Sequence, residues 1–226
     1  MNSRHEKHLP YRVVLEALKR AVGCPLCLLE TEGTRRYLEG LLYESVNDPG
    51  VRRALRESRG YCPRHAHILA GFKSGLGTAI LYRDQVGLFL EFLKTLRRPG
   101  LRRLRPSAAA AWAKHAQCPA CQREAESRER HAAVLIEAIA DEEMRAAFDA
   151  SAALCVPHFL LLYDRAATPA TRDYLLGTQQ RKFVALQGEL GDFIARHDYR
   201  RLKEGFGEVG DSWLRALSLM VGEGRE

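Results

Sequence analysis

All six cysteines of this 226-residue chain fall in four short motifs that could bind metal. Cys24-Pro25-Leu26-Cys27 is followed, after an interval of 34 residues, by Cys62-Pro63-Arg64-His65. Cys118-Pro119-Ala120-Cys121 is followed, after 33 residues, by Cys155-Val156-Pro157-His158. Three thiols and one imidazole per set, arranged as two pairs, form the ligand inventory of a tetrahedral site. Thiolate and imidazole together suit zinc, so two zinc ions per chain are expected. An iron–sulfur cluster is the alternative, although four cysteines are its usual set. The most economical assignment gives one ion to each half of the sequence. Cys24, Cys27, Cys62 and His65 hold the first; Cys118, Cys121, Cys155 and His158 hold the second.

Other chemistries of the same residues fit less well. C-P-x-C is also a pattern of dithiol redox proteins, but those expect a βαβ setting and none is visible. Covalent haem needs a histidine directly after the second cysteine, where this chain has Leu28 and Gln122. A catalytic zinc keeps one coordination position open, whereas four protein ligands are on hand for each ion. No phosphate-binding glycine loop or nucleophile elbow is recognisable, nor is a carboxylate pair. No catalytic residue is therefore assigned, and a non-enzymatic role is expected. His131 aligns with Tyr37 and His115 with Ala21, outside the repeated constellation. With His5, His8, His67 and His197 they are read as surface or core residues.

The elements that must position these motifs also occur twice. An offset of 94 places Cys24 on Cys118, Cys27 on Cys121, Leu41 on Leu135 and Leu42 on Ile136. Past Asn47-Asp48-Pro49-Gly50, where the second copy is one residue shorter, an offset of 93 places Val51 on Met144, Leu55 on Phe148, Cys62 on Cys155 and His65 on His158. Apolar positions match apolar positions on both sides of the gap, which is the signature of an internal repeat. Ala, Leu, Arg and Glu dominate and β-branched runs are scarce, so each copy should be helical. The expected architecture is all-α, two tandem pseudo-repeats of four to five helices. Residues 1–98 form the first, 99–106 a basic Pro/Gly linker, 107–200 the second and 201–226 a C-terminal helical extension.

In the first copy a helix over Tyr11–Val22 should stop at Gly23, in the C′ position glycine favours. A second helix follows Cys24–Cys27 and runs to about Val46. Asp48 and Pro49 have the types wanted at an N-cap and first helical position of a third, which ends near Gly60. Cys62 starts a fourth. Ala79, Tyr82, Val86, Phe89, Leu93 and Leu96 repeat at steps of three and four, the spacing of an amphipathic helix. In the second copy helices are expected over about 108–115, 121–140, 142–152 and 157–164. Thr168-Pro169 should cap a long helix buried along Phe183, Leu186, Leu190 and Phe193. Trp213, Leu214, Leu217 and Met220 read as a final helix packed on the body.

No apolar stretch approaches the roughly 20 residues needed to span a bilayer. The start, Met1 to His8, lacks the apolar segment of a secretory signal. A cytoplasmic protein is expected, whose reduced thiols favour metal over disulfides. The formal net charge of +7 admits contact with nucleic acid. Arginine-rich stretches at Arg97–Arg105 and Arg196–Lys203 could touch phosphates, though solvated charge explains them as well.

The chain resembles a bacterial family of uncharacterised proteins whose members carry a duplicated C-P-x-C…C-x-x-H pattern. The resemblance rests on the four motifs with their flanks Gly23, Gly60-Tyr61 and Leu154. It extends to His197-Asp198-Tyr199-Arg200 and Asp211-Ser212-Trp213. It implies the metal sites and names no reaction. Taken together, the residues point to a zinc-binding helical protein that presents a surface to a protein partner. An iron–sulfur or thiol redox protein and a nucleic-acid-binding protein are the alternatives.

Overall fold

A computed structural model of the chain describes residues 9–96, 107–198 and 205–222. Among these residues the protein is all-α, with no strand. The helices are α1 (Leu9–Arg20), α2 (Pro25–Glu44), α3 (Pro49–Glu57), α4 (Pro63–Gly71), α5 (Gly75–Leu96), α6 (Ala108–Ala111), α7 (Pro119–Ala138), α8 (Glu142–Ala150), α9 (Val156–Arg165), α10 (Pro169–Ala195) and α11 (Ser212–Val221), with a 3-10 turn at Gly207–Val209. Residues 1–8, including His5 and His8, lie outside the described residues, as do the 99–106 linker and Tyr199–Lys203.

Proline opens five of the eleven described α-helices. Its missing N–H is no loss in the first turn, and its fixed φ is already helical. Pro25, Pro49, Pro63, Pro119 and Pro169 each stand first in their helix. In the motifs this has a chemical result, because the cysteine before the proline lands at the helix entrance. Cys62 and Cys155 are the N-caps of α4 and α9, both with extended backbone. Elsewhere polar caps do the work. Asp48 accepts from Val51 N, Asp141 from Glu143 N and Met144 N, and Thr168 from Thr171 N.

The chain packs as two compact units, and neither is one of the sequence copies. One unit contains the described residues up to Thr31 together with those from Ser127 onward; the other is Glu32–Glu126. α2 passes from the first unit to the second, and α7 passes back. In the first unit α1 packs on α8, and α9, α10 and α11 pack on one another. Its core is built on Val14, Leu18, Leu135, Met144, Phe148, Leu162 and Leu175. Tyr11 Oη donates to Asp141 Oδ1 at 2.5 Å, tying α1 to the cap of α8. In the second unit α3 packs on α5 around Leu38, Leu41, Leu55, Leu69 and Leu81. Arg52 grips Asp84 with Nε at 2.8 Å and Nη2 at 2.7 Å, joining the same two helices.

Three pairs of helices at aligned positions match in length to within one residue, whereas α1 and α6 have 12 and four residues and α5 and α10 have 22 and 27. α2 and α7 each have 20 residues, α3 and α8 each have nine, and α4 and α9 have nine and ten.

Several local expectations are corrected. α1 ends at Arg20, and Gly23 is not among the left-handed glycines of the described residues. After α3 the left-handed C′ position is taken by Arg59, with φ +56°, and Gly60 follows it with φ +84°. α6 is a single turn, four residues long. The stripes read as buried on α5 and α11 face outward: Val86, Phe89, Leu93 and Leu96 are exposed, as are Trp213, Leu214, Leu217 and Met220. Gly77 and Leu81 of α5 and Ser212 and Leu219 of α11 are buried instead. Helical spacing defines a face but not whether that face is covered. On α10 the predicted face does pack inward, with Leu186 buried and Phe183 and Leu190 against the core.

Candidate metal centres

The eight ligand residues gather into two groups of four, but not one group per copy. Cys24, Cys27, Cys155 and His158 meet in the first unit, and Cys62, His65, Cys118 and Cys121 meet in the second. Within each group one ligand atom per residue lies within 4.8 Å of all the others. The assignment of Cys24 and Cys27 to Cys62 and His65, and of Cys118 and Cys121 to Cys155 and His158, is therefore corrected. Each C-x-x-C meets the C-x-x-H of the other copy.

Each C-x-x-C is separated from the C-x-x-H of its own copy by a 20-residue helix followed by a nine-residue one. Spacing along the chain gave no hint of the exchange, because a loop closure of some 34 residues is entropically acceptable either way.

The geometry in each group is that of ligands turned toward one point. Cys27 Sγ and Cys155 Sγ are 3.6 Å apart, and Cys62 Sγ and Cys121 Sγ are 3.7 Å apart. An ion bonded tetrahedrally at about 2.3 Å to two sulfurs would set them about 3.8 Å apart. His158 Nδ1 lies 3.4 Å from Cys24 Sγ, 3.4 Å from Cys27 Sγ and 3.1 Å from Cys155 Sγ. His65 Nδ1 lies 3.2, 3.5 and 3.4 Å from the sulfurs of Cys62, Cys118 and Cys121. In both groups Nδ1 is the ring nitrogen that faces the thiols. Either group could hold one metal ion.

Behind each imidazole stands a buried carboxylate that the reading of the sequence missed. His158 Nε2 is 3.0 Å from Glu30 Oε1, and Arg128 Nε donates to the same oxygen at 2.5 Å. His65 Nε2 is 3.4 Å from Glu124 Oε1, a longer and poorly aligned contact. Arg64 donates to both oxygens of Glu124 through its two terminal nitrogens. Glu30 is 1% exposed and Glu124 4%. A ligating histidine that donates its other N–H to a carboxylate has its tautomer and ring orientation fixed. Glu30 falls on Glu124 at the offset of 94, so C-x-x-C-x-x-E was a signal open to notice. The arginines differ in origin: Arg128 comes from α7 and Arg64 from α4, at positions that do not align.

With only protons to share, the thiols and imidazoles compete. Burial pushes His65 down, but the hydrogen bond to Cys118 and the nearby Glu124 carboxylate outweigh it and lift the ring to about 9. His158 moves the same way, with burial overcome by Cys155, Cys24, Cys27 and Glu30. Burial raises Cys118, yet His65 and the backbone groups of Cys62, Cys121 and Ala120 bring it below its ordinary range. Cys121 goes up, through burial and then the adjacent Cys118 charge. One stabilised thiolate beside one suppressed thiol is what a cluster of acceptors does without a cation; a bound metal deprotonates its thiols outright.

The other histidines among the described residues stay out of both groups. His131 is buried near Ser127 Oγ, 3.3 Å from its Nδ1, and His115 Nε2 lies 3.4 Å from Arg59 Nη2 at the surface. His197 Nδ1 bonds to the Phe193 carbonyl oxygen at 2.9 Å, and His67 is exposed.

No described helix is long and apolar enough to cross a membrane. No solved structure matches the chain. It is similar to a protein of Caldicellulosiruptor sp. (strain Rt8B.4) described as "Uncharacterized 23.9 kDa protein in xynA 3'region", 22% identical over 206 residues that cover 88% of this chain and 95% of the relative. The sequence profile of a family of unknown function matches residues 9–226, every described helix and both candidate metal centres included, and the chain belongs to that family, DUF6062.

Proposed function

We propose that the protein is a zinc-stabilised helical scaffold. It carries two closed structural zinc ions and presents a surface to a protein partner rather than catalysing a reaction. The single observation that carries this reading is the convergence of three sulfurs and one Nδ1, twice, each with a buried carboxylate behind the imidazole. Four protein ligands leave no open position for a substrate. Sulfur separations of 3.6 and 3.7 Å fit ligands of one shared ion better than ligands spread over the separate irons of a cluster. A duplicated ancestral unit accounts for the aligned motifs and the matched helix lengths. Thiolate sites of this kind persist in a reducing compartment such as the cytoplasm.

The test is elemental analysis of anaerobically purified protein together with its absorption spectrum. Two zinc ions per chain and no band near 400 nm are expected. Stoichiometric iron with a brown colour would overturn the zinc assignment in favour of the redox reading, and no metal at all would overturn both.

A second reading, nucleic-acid contact, is favoured by one observation. Residues 32–126 hold 17 Lys and Arg against nine Asp and Glu, a formal +8, while the rest of the chain nets −1 of the total +7. Affinity for a nucleic acid that falls steeply with salt would support it; absence of binding at low salt would remove it.

A further inference from the structure

The two candidate centres are built from the same residue types but are unequally sealed. In the first, Cys24, Cys27 and Cys155 are all buried. In the second only Cys118 is, while Cys62 and Cys121 remain partly exposed. The difference falls on corresponding atoms, since Cys27 aligns with Cys121 and Cys155 with Cys62. Over the Cys27–Cys155 pair lies Gly222, the residue that closes α11. A Cβ there would stand 3.9 Å from Cys27 Sγ and 4.0 Å from Cys155 Sγ. Gly222 has φ +90°, so the backbone itself makes this approach. α11 belongs to the part of the chain outside the duplicated copies. Among the described residues the Cys62–Cys121 pair, flanked by exposed Pro63, Gln122 and Arg123, keeps its open edge.

We infer that Cys62 and Cys121 form an oxidation site: a hydroperoxide converts them to a disulfide and frees the zinc of the second centre, while the first centre keeps its ion. This rests on the reading that zinc occupies the second centre. One thiolate attacks the peroxide oxygen; an S–O bond forms, the O–O bond breaks, and the leaving hydroxide takes a proton to become water. The other thiolate attacks the resulting sulfenic sulfur. The S–S bond forms as the S–O bond breaks, and the second hydroxide leaves as water. Two thiolates have lost two electrons, and hydrogen peroxide with two protons has become two waters. The sulfurs begin 3.7 Å apart and close to a bond of about 2.0 Å, a movement within reach of side-chain rotation. Cys118 and His65 remain, too few to hold zinc firmly. Exposure governs which thiolates climb the oxidation ladder first, and here it separates two otherwise matched pairs.

The experiment uses the reduced full-length protein, its zinc counted per chain beforehand. Hydrogen peroxide is added, released zinc is followed with a chromophoric chelator, and cysteine pairing is mapped by peptide mass spectrometry. The expected result is release of one zinc ion about tenfold faster than the other, with a Cys62–Cys121 disulfide formed at the same rate. N-ethylmaleimide, used separately, should label Cys62 and Cys121 ahead of Cys27 and Cys155. Equal loss of both ions, or a Cys27–Cys155 disulfide formed first, would overturn the inference while leaving the zinc reading intact. A protein with no zinc before the oxidant would overturn both.

Discussion

Glu30 lies three residues after Cys27 on α2, yet it holds His158 from the other end of the chain, with Oε1 3.0 Å from Nε2. One helix entrance thus supplies two thiols and the carboxylate that orients the imidazole opposite. Removing such a carboxylate typically costs 10–100-fold in metal affinity. Glu30→Gln should weaken the first centre by about that factor and leave the second unchanged. Glu124→Gln should do the reverse, with a smaller effect because its contact to His65 is longer, at 3.4 Å. Competition with a chelator of known affinity measures both.

Exchange of ligands between the copies has a stoichiometric signature. Cys24→Ser with Cys155→Ser damages one centre twice and should leave one ion per chain. Cys24→Ser with Cys62→Ser damages both and should leave none firmly bound. Pairing within each copy predicts the opposite. Native mass spectrometry of the two double variants decides between them.

Metal removal should cost the fold. Structural zinc contributes roughly 10–16 kcal/mol in small zinc peptides, comparable to the whole stability of a domain. A strong chelator should therefore reduce helical circular dichroism and lower the melting temperature. Restored zinc should reverse both. A chelated protein that keeps its full melting temperature would contradict a structural role.

Lys182 offers a pH-dependent test away from the metals. Its Nζ donates to the carbonyl oxygens of Phe148 at 2.6 Å and Ala152 at 3.3 Å, closing the C-terminal end of α8. Burial pushes it down to about 8 from 10.5, against the pull of the Asp149 charge. Between those two pH values the unfolded chain holds a proton that the folded chain has released. Stability rises with pH wherever the unfolded state binds more protons. The wild type should thus gain stability relative to Lys182→Met on going from pH 7 to 9.5, read as the difference in urea midpoints. Buried tyrosines such as Tyr61 titrate in both proteins and cancel in that difference.

What could be read from the sequence was whatever is local. Cysteine before proline marked the helix entrances; Asp48 and Thr168 marked caps; the offset of 94 marked like residues. Which C-x-x-H meets which C-x-x-C is a long-range outcome that motif spacing does not encode. Glu30 and Glu124 escaped because a lone glutamate on a helix is ordinary until its partner is known. The outward stripes on α5 and α11 show the same limit. Val86 and Trp213 have the chemistry of buried residues, and nothing near them in sequence says that they stay 58% and 50% exposed.

α2 enters one compact unit carrying thiols and leaves into the other, and α7 makes the reciprocal passage. A single copy of the repeat, expressed alone, would own half of two different centres and complete neither. Two such fragments could satisfy each other only by trading ends, as in a swapped dimer. Holding all four motifs in one polypeptide makes that exchange an intramolecular event, independent of protein concentration.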